Sequence, residues 1–268
     1  MTRRGDTLRL WRWGVLVAVG ALTLVAGGCS TDEESSGPPN YFPFTTGSWW
    51  AYVGTELDTA GNEVPDRRWR DSLVIVGQTE VEGKRAAVIV TYTDGSPADT
   101  IMAATEGGRL YYYFGGQSLQ RLPFPTPRGW VMFADPNAAE WTAWDTTVTG
   151  FPVRLPGLPQ EVAISGRFEW KGQRGGTTTV TVKGRSVTAQ EFVTTISFSG
   201  DLFFGVLRAG TASFRFPIRL WAADGIGIVR RQEDPPVAVI TSNLLPGGQQ
   251  RFSFSGQRRV LVDYSLQQ

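Results

Sequence analysis

Three carboxylates and three tryptophans share one short stretch of this chain, and they form the group of residues best suited to chemistry. Glycosidases hold two carboxylates beside the bond that they cleave, and indole rings can serve as platforms for sugar rings. The other interpretation, which we favour, makes the acids turn and cap residues and places the indoles in the core. The residues concerned are Asp135, Glu140 and Asp145, with Trp130, Trp141 and Trp144.

The chain contains no histidine. That absence excludes Ser-His-Asp and Cys-His catalysis and every metal site that depends on imidazole ligands. The lysines Lys84, Lys171 and Lys183 each lie beside a glycine in a predicted turn, where a solvated ammonium group is expected. We therefore expect a protein that is not an enzyme and that uses no cofactor and no metal ion.

The first 28 residues have the order of a secretory signal peptide. A basic start is followed by an apolar run from Trp13 to Ala26, and small residues lead to the only cysteine, Cys29. The run is short for a membrane-spanning helix, which needs about 20 apolar residues. An uncleaved membrane anchor, or ordinary cleavage that leaves a free thiol, is the alternative interpretation.

The sequence from Val25 to Cys29 resembles the lipobox of bacterial lipoproteins. The resemblance implies that residues 1–28 are removed and that the Cys29 thiol carries a diacylglycerol, which anchors the protein to a membrane. Two or more acyl chains make such an anchor stable, and Cys29 would then be unavailable for thiolate catalysis or metal binding. The residue after the cysteine is Ser30 rather than Asp, which implies delivery to the outer membrane in a host with two membranes. Residues 29–40 are almost entirely polar, which predicts a flexible leash.

Charge gives no sign of a nucleic-acid partner, since 26 basic residues face 25 acidic ones over the whole chain. The arginine pairs Arg67-Arg68, Arg230-Arg231 and Arg258-Arg259 are scattered and interleaved with acids. We interpret them as solvated strand ends. The sequence implies a membrane as partner through the N-terminal lipid, together with a lipid or glycan ligand, and a monomer is expected.

Apolar and polar residues alternate along most of the chain, which is typical of strands with one buried face. Two such apolar rows are Val162, Ile164, Phe168 and Trp170, and Val260, Val262, Tyr264 and Leu266. Turn-forming pairs such as Asp94-Gly95 separate the rows. The pattern predicts an all-β domain over residues 41–268, built from about a dozen antiparallel strands with little helix.

Residues 117–159 contain seven prolines, which restrict ladder pairing to sheet edges and bulges. We predict an irregular middle there that crosses or covers the sheet, with one helical turn from Asp135 to Glu140. Tyr112 belongs to a run of four aromatic residues that covers both faces of a strand. Core packing is the default interpretation of that run, and an apolar pocket inside a curved sheet is the alternative.

Two short segments resemble a group of uncharacterised bacterial envelope lipoproteins. The opening YFP-x-x-x-G-x-x-W-x-Y pattern spans Tyr41 to Tyr52, and a Gly-Ile-Gly-Ile-Val-Arg strand spans 225 to 230. These proteins are similar in outline to half-barrel folds such as the lipoprotein carrier and receptor of the Lol pathway, so the resemblance implies a strongly curved sheet, a half-barrel or open barrel. It brings no known activity. Within the first segment, alternation predicts that Trp50 and Tyr52 share the inward face and that Trp49 lies on the other face.

The sequence favours a membrane-anchored envelope protein that binds or scaffolds, with a lipid or other amphiphile held under the concave face of the sheet. The alternative is a carbohydrate-binding module, or a carboxylate-dependent enzyme acting on glycans, at the cell surface. A passive structural role is a third alternative. The candidate ligand-binding residues are Trp130, Trp141, Trp144 and Tyr112.

Overall fold

The structure of the chain is a computed structural model, and it describes residues 37–115, 126–154, 161–242, 245 and 247–267. The regular elements in these ranges are all strands. In chain order they are β1 (Trp49–Leu57), β2 (Glu63–Val81), β3 (Lys84–Thr93), β4 (Ser96–Glu106), β5 (Arg109–Phe114), β6 (Gly129–Ala134), β7 (Glu140–Val153), β8 (Val162–Val182), β9 (Arg185–Phe204), β10 (Leu207–Ala223), β11 (Gly227–Glu233), β12 (Val237–Ser242), β13 (Gln249–Ser253) and β14 (Gly256–Ser265).

All fourteen strands belong to one antiparallel sheet. Its main path runs β6-β5-β4-β3-β2-β1-β14-β11-β10-β9-β8-β7, while β12 pairs with β10 and β13 pairs with β12. The prediction of an all-β fold with about a dozen antiparallel strands is confirmed, and the sheet curls until it is nearly closed into a barrel with one seam. Within the described ranges, no helix has the length and apolar character needed to cross a bilayer.

Strand alternation places the core inside the curl. On β8 the predicted row Val162, Ile164, Phe168 and Trp170 is buried throughout. On β14 the prediction is wrong for Val262, which is 47% exposed, whereas Leu261 is 1% exposed. A β-bulge explains the difference, because the pairing of β1 with β14 shifts register at this point and turns Leu261 inward.

The seam lies between the two edge strands, β6 and β7, and side chains bridge it. The Trp141 indole N–H donates to the carbonyl oxygen of Met132 on β6 at 3.2 Å. The Thr194 hydroxyl on β9 donates to the carbonyl oxygen of Phe133 at 3.0 Å. The edge carbonyls of β6 are thus partly satisfied from inside the barrel, without a backbone ladder.

Residues 117–159 contain more regular structure than the sequence predicts. Both β6 and β7 fall in this range, and they are the two edges of the main sheet, where prolines are tolerated. The predicted helical turn at Asp135 is instead a tight turn, in which the backbone N–H of Asn137 donates to the Asp135 carboxylate at 2.9 Å.

The two segments that carry the sequence resemblance meet each other. The Trp50 indole N–H donates to the carbonyl oxygen of Ile226 at 2.7 Å, and the Tyr52 hydroxyl donates to that of Ile228 at 2.8 Å. A Cβ at Gly227, which has a φ of +106°, would lie 3.1 Å from the Trp50 ring nitrogen. Trp50 and Tyr52 are buried, as predicted, and Trp49 on the other face is half-buried.

Asn40, the last residue of the predicted leash, makes backbone hydrogen bonds to the strand-rich domain. The backbone N–H of Asn40 donates to the Asp224 carboxylate at 2.6 Å, and its carbonyl oxygen accepts the N–H of Gly225 at 2.9 Å. Asn40 therefore belongs to the folded domain, since both of its backbone groups are bonded to the turn between β10 and β11. The remainder of the predicted leash up to Ser36, and the signal peptide 1–28, lie outside the described residues.

Candidate functional site

A cavity of about 410 Å³ lies under the concave face of the sheet. Its walls are largely apolar and come from strands on both sides of the seam as well as from the middle of the sheet. Residues of this wall include Leu73, Ile101, Phe133, Trp170, Ile196 and Ile218. The volume lies within the range of about 300–1,000 Å³ that is usual for small-molecule sites.

One part of the wall is charged, and its centre is a pair of arginines on neighbouring strands. Arg231 on β11 and Arg259 on β14 are directly opposite each other in the ladder, and both line the cavity. Like charges in this relation repel. Burial lowers the pKa of Arg259, and the repulsion from Arg231 lowers it further. Burial also acts to lower the pKa of Arg231, but Glu233 and the tyrosines nearby outweigh it and the net shift is upward.

Asp71 on β2 neutralises Arg259. Its side chain is 1% exposed, and its Oδ2 lies 3.0 Å from the Arg259 Nε. The same carboxylate accepts hydrogen bonds from the Trp69 indole N–H at 2.8 Å and from the Thr93 hydroxyl at 2.7 Å. Both oxygens of this buried acid are therefore occupied, as a buried charge requires.

A glycine allows that arrangement. Gly54 on β1 stands opposite Trp69 on one side and opposite Arg259 on the other. A Cβ at position 54 would overlap the Trp69 indole ring. Because Gly54 has no side chain, the Trp69 indole can lie over it, and the Arg259 side chain can extend past this position to Asp71.

Glu233 on β11 is the second acid of the cluster. Its Oε1 lies 2.7 Å from the Arg231 Nη2, and its Oε2 accepts a hydrogen bond from the Gln257 amide at 2.5 Å. The Arg231 Nε is buried and has no hydrogen-bond partner among the described residues, and the buried Arg259 Nε meets Asp71 as an ion pair without the alignment of a hydrogen bond. The Trp170 indole nitrogen also lacks a hydrogen-bond partner among the described residues, which is unusual for a buried indole.

Two tyrosines complete the polar wall. Burial raises the pKa values of both Tyr52 and Tyr112, so both side chains are neutral phenols at physiological pH. Tyr112 comes from β5, on the far side of β1 from the arginines, yet both guanidinium groups are close enough to act on its pKa. Its hydroxyl makes no hydrogen bond within the described residues, and its ring packs edge-on against Phe133.

Tyr112 is the one predicted binding residue that lines this cavity. Trp141 is buried at the seam, and Trp144 packs edge-on against Trp170 with ring centroids 5.9 Å apart. Trp130 packs against Tyr113, and its indole N–H donates to the carbonyl oxygen of Val81 at 2.9 Å. The three tryptophans are therefore dispersed and form no common surface. Cys29 lies outside the described residues.

The three candidate carboxylates are also separated from the indoles. On β7, Trp141 and Trp144 are directed inward, while Glu140 and Asp145 are exposed. The Asp145 carboxylate accepts two hydrogen bonds from Arg167, and Asp135 pairs with Arg109 at 2.9 Å. Within the described residues, no three acid, histidine or cysteine side chains are grouped so that they could hold a metal ion.

The charged cluster is not predicted by the sequence pattern, which also indicates the wrong environment for two of its arginines. Arg67 and Arg68 are exposed, as predicted, but they lie within β2 rather than at its end. That prediction is wrong for Arg231 and Arg259, which face the barrel interior. The sequence holds one relevant signal: Val229, Arg231 and Glu233 are spaced two apart, so they share one face of their strand.

No protein-family model matches the chain, and no curated protein matches it. A crystal structure of a candidate lipoprotein from Parabacteroides distasonis is similar over 85% of this chain and 100% of its own, with 12% identity and a TM-score of 0.44. A candidate exported protein from Bacteroides fragilis, with a YmcC-like fold, has the same coverage, 11% identity and a TM-score of 0.35. Neither similarity supports an inference about function.

Proposed function

We propose that this chain is a lipid-anchored protein of the bacterial cell envelope that binds an amphiphile inside its curved sheet and catalyses no reaction. The cavity carries the proposal. It combines an apolar wall that can receive a hydrocarbon chain with a small charged region that can fix a head group, as ligand sites generally do. The lipobox-like residues before Cys29 support the location in the envelope.

Glycan binding or hydrolysis is the alternative function, and the directions of the side chains on β7 argue against it. A glycosidase needs two carboxylates on the same side as the sugar. Here the tryptophans of β7 are directed inward, and the carboxylates of the same strand lie on the outer face. The exposed Asp145 is also engaged by Arg167, at 2.9 Å from its Nε.

Native mass spectrometry of the full-length protein extracted from membranes tests the proposal. We expect an additional noncovalent mass of an amphiphile in the wild-type protein. Thr91→Phe should remove it, because Thr91 lines the cavity and a phenyl ring would fill part of it. Val76→Phe is the matched control, since Val76 is 51% exposed and does not line the cavity. An unliganded wild-type protein, or equal retention in both variants, would refute binding at this site.

A further inference from the structure

The polar part of the cavity offers hydrogen-bond donors and has few free acceptors. The Asp71 oxygens are taken by Trp69 and Thr93, and the Glu233 oxygens by Arg231 and Gln257. The donors are not used up in the same way. Arg231 contacts Glu233 through its Nη2 and Arg259 contacts Asp71 through its Nε, and neither guanidinium group has another acid partner among the described residues.

The charge distribution points in the same direction. Arg231 and Arg259 stand side by side on adjacent strands, so their guanidinium groups repel each other within one part of a cavity wall that is otherwise largely apolar. An anion beside both groups would offset that repulsion and would meet planar donors that suit carboxylate and phosphate oxygens. Asp99 is the other acid of the lining, and its exposed carboxylate already accepts the backbone N–H of Thr100 at 2.7 Å.

We propose that Arg231 and Arg259 bind the anionic head group of a single-chain amphiphile, a carboxylate or a phosphate, whose hydrocarbon chain lies against Phe133, Trp170 and Ile196. This inference rests on the proposed function and specifies the ligand of the same site. The hydroxyl of Tyr112, which makes no hydrogen bond within the described residues, adds a further donor for the head group. A cavity of about 410 Å³ is near the lower end of the usual range for ligand sites, which fits one chain better than two.

Photo-crosslinking of the full-length chain in isolated membranes tests the inference. The probes are hexadecanoic acid, hexadecanol and a lysophosphatidic acid of the same chain length, each with a diazirine on the chain. Labelled peptides are mapped by mass spectrometry, and we expect the acid or the lysophosphatidic acid to label β6, β8 and β9, which carry Phe133, Trp170 and Ile196. The stronger of these two probes identifies the head group as carboxylate or phosphate.

Variants distinguish the head group from the chain. Arg231→Gln should lower labelling by the anionic probe about tenfold or more, because a charge-assisted pair is lost. Arg258→Gln is the matched control. Arg258 precedes the cavity residue Arg259 in sequence but does not line the cavity, and it donates hydrogen bonds to Gln232 and Glu63. Labelling by hexadecanol should be weak in the wild-type protein and unchanged in Arg231→Gln.

Two results would overturn the inference, and they differ in what they leave standing. Equal labelling by acid and alcohol that Arg231→Gln does not change would refute the head-group site but keep amphiphile binding. Absence of interior labelling with all three probes would refute the proposed function as well. If Arg231→Gln also lowers labelling by hexadecanol, the cavity has collapsed in that variant. Arg231→Lys, which keeps the positive charge, is then the decisive variant. It should be labelled more by the anionic probe than by hexadecanol.

Discussion

Tyr52 connects the cavity wall to the strand that carries Arg231. Its ring is buried on β1, and its hydroxyl reaches over β14 to donate to the carbonyl oxygen of Ile228 on β11. The bond lies where β11 is bulged against β10, at the shift between Trp221 and Ala222. The Tyr52 hydroxyl thus provides a hydrogen-bond donor for the Ile228 carbonyl group beside the bulge between β10 and β11, close to the charged residues of the site.

Tyr52→Phe should lower the free energy of unfolding by about 0.5–1.5 kcal/mol at pH 7, the usual net value of one hydrogen bond. Above pH 10, the stability of the variant should also decline less with rising pH than that of the wild-type protein. Burial raises the pKa of Tyr52 in the folded chain, so the unfolded chain releases this proton first, and stability falls as pH rises through 10.

Urea unfolding followed by tryptophan fluorescence at pH 7 and at pH 11 measures both effects. Tyr92→Phe is the control, because the Tyr92 hydroxyl makes no hydrogen bond within the described residues, and it should leave stability at pH 7 nearly unchanged. If Tyr52→Phe matched this control at pH 7, the bond to Ile228 would contribute nothing to stability.

At the scale of strands, sequence periodicity predicts most of the fold. The alternation on β8 and the inward direction of Trp50 and Tyr52 follow from period two alone, since the bulges beside these stretches place their extra residues on the partner strands, β7 and β14. The direction of Val262 does not follow, because a bulge depends on the partner strand, which is distant in sequence. The inward direction of Arg231 and Arg259 does not follow from the sequence for a related reason. Only the curled sheet shows which face of β11 and β14 lines the interior.

The seam is another feature that local patterns do not contain. It requires β6 and β7, which are neighbours in sequence, to lie at opposite ends of the strand order and to meet only when the sheet has curled. Trp141 spans it by lying across Gly172 on β8, its partner in the ladder. Trp141, predicted as a binding residue, thus takes part in closing the barrel.

Gly172→Ala should destabilise the domain by about 1–3 kcal/mol, as overpacking of a core does, because the new Cβ would overlap the Trp141 indole ring. Gly176→Ala on the same strand meets no atom within 4 Å and should change stability by no more than about 0.5 kcal/mol. Thermal unfolding of both variants measures the difference. Equal midpoints would show that Trp141 can leave the seam without cost.

At the scale of the whole molecule, the cavity and the proposed anchor suit the same ligand source. The described residues that line the cavity belong to the strands between Trp49 and Ser265. The proposed lipid at Cys29 would hold this domain beside a membrane, where single-chain amphiphiles are concentrated. Removing the anchor should therefore change where the protein is found and leave the cavity intact.

Cys29→Ser tests the anchor. In cells fed radiolabelled palmitate, the wild-type chain should incorporate label and partition into the detergent phase, because acyl chains on one residue give stable membrane attachment. Cys29→Ser should incorporate none, since no other thiol exists in the chain. Ser30→Ala is the matched control and should keep the label, because the residue after the cysteine receives no acyl chain. Labelling of Cys29→Ser at the wild-type level would exclude Cys29 as the lipid attachment site. Loss of the label together with unchanged cross-linking by the amphiphile probes would show that binding by the sheet does not depend on the anchor.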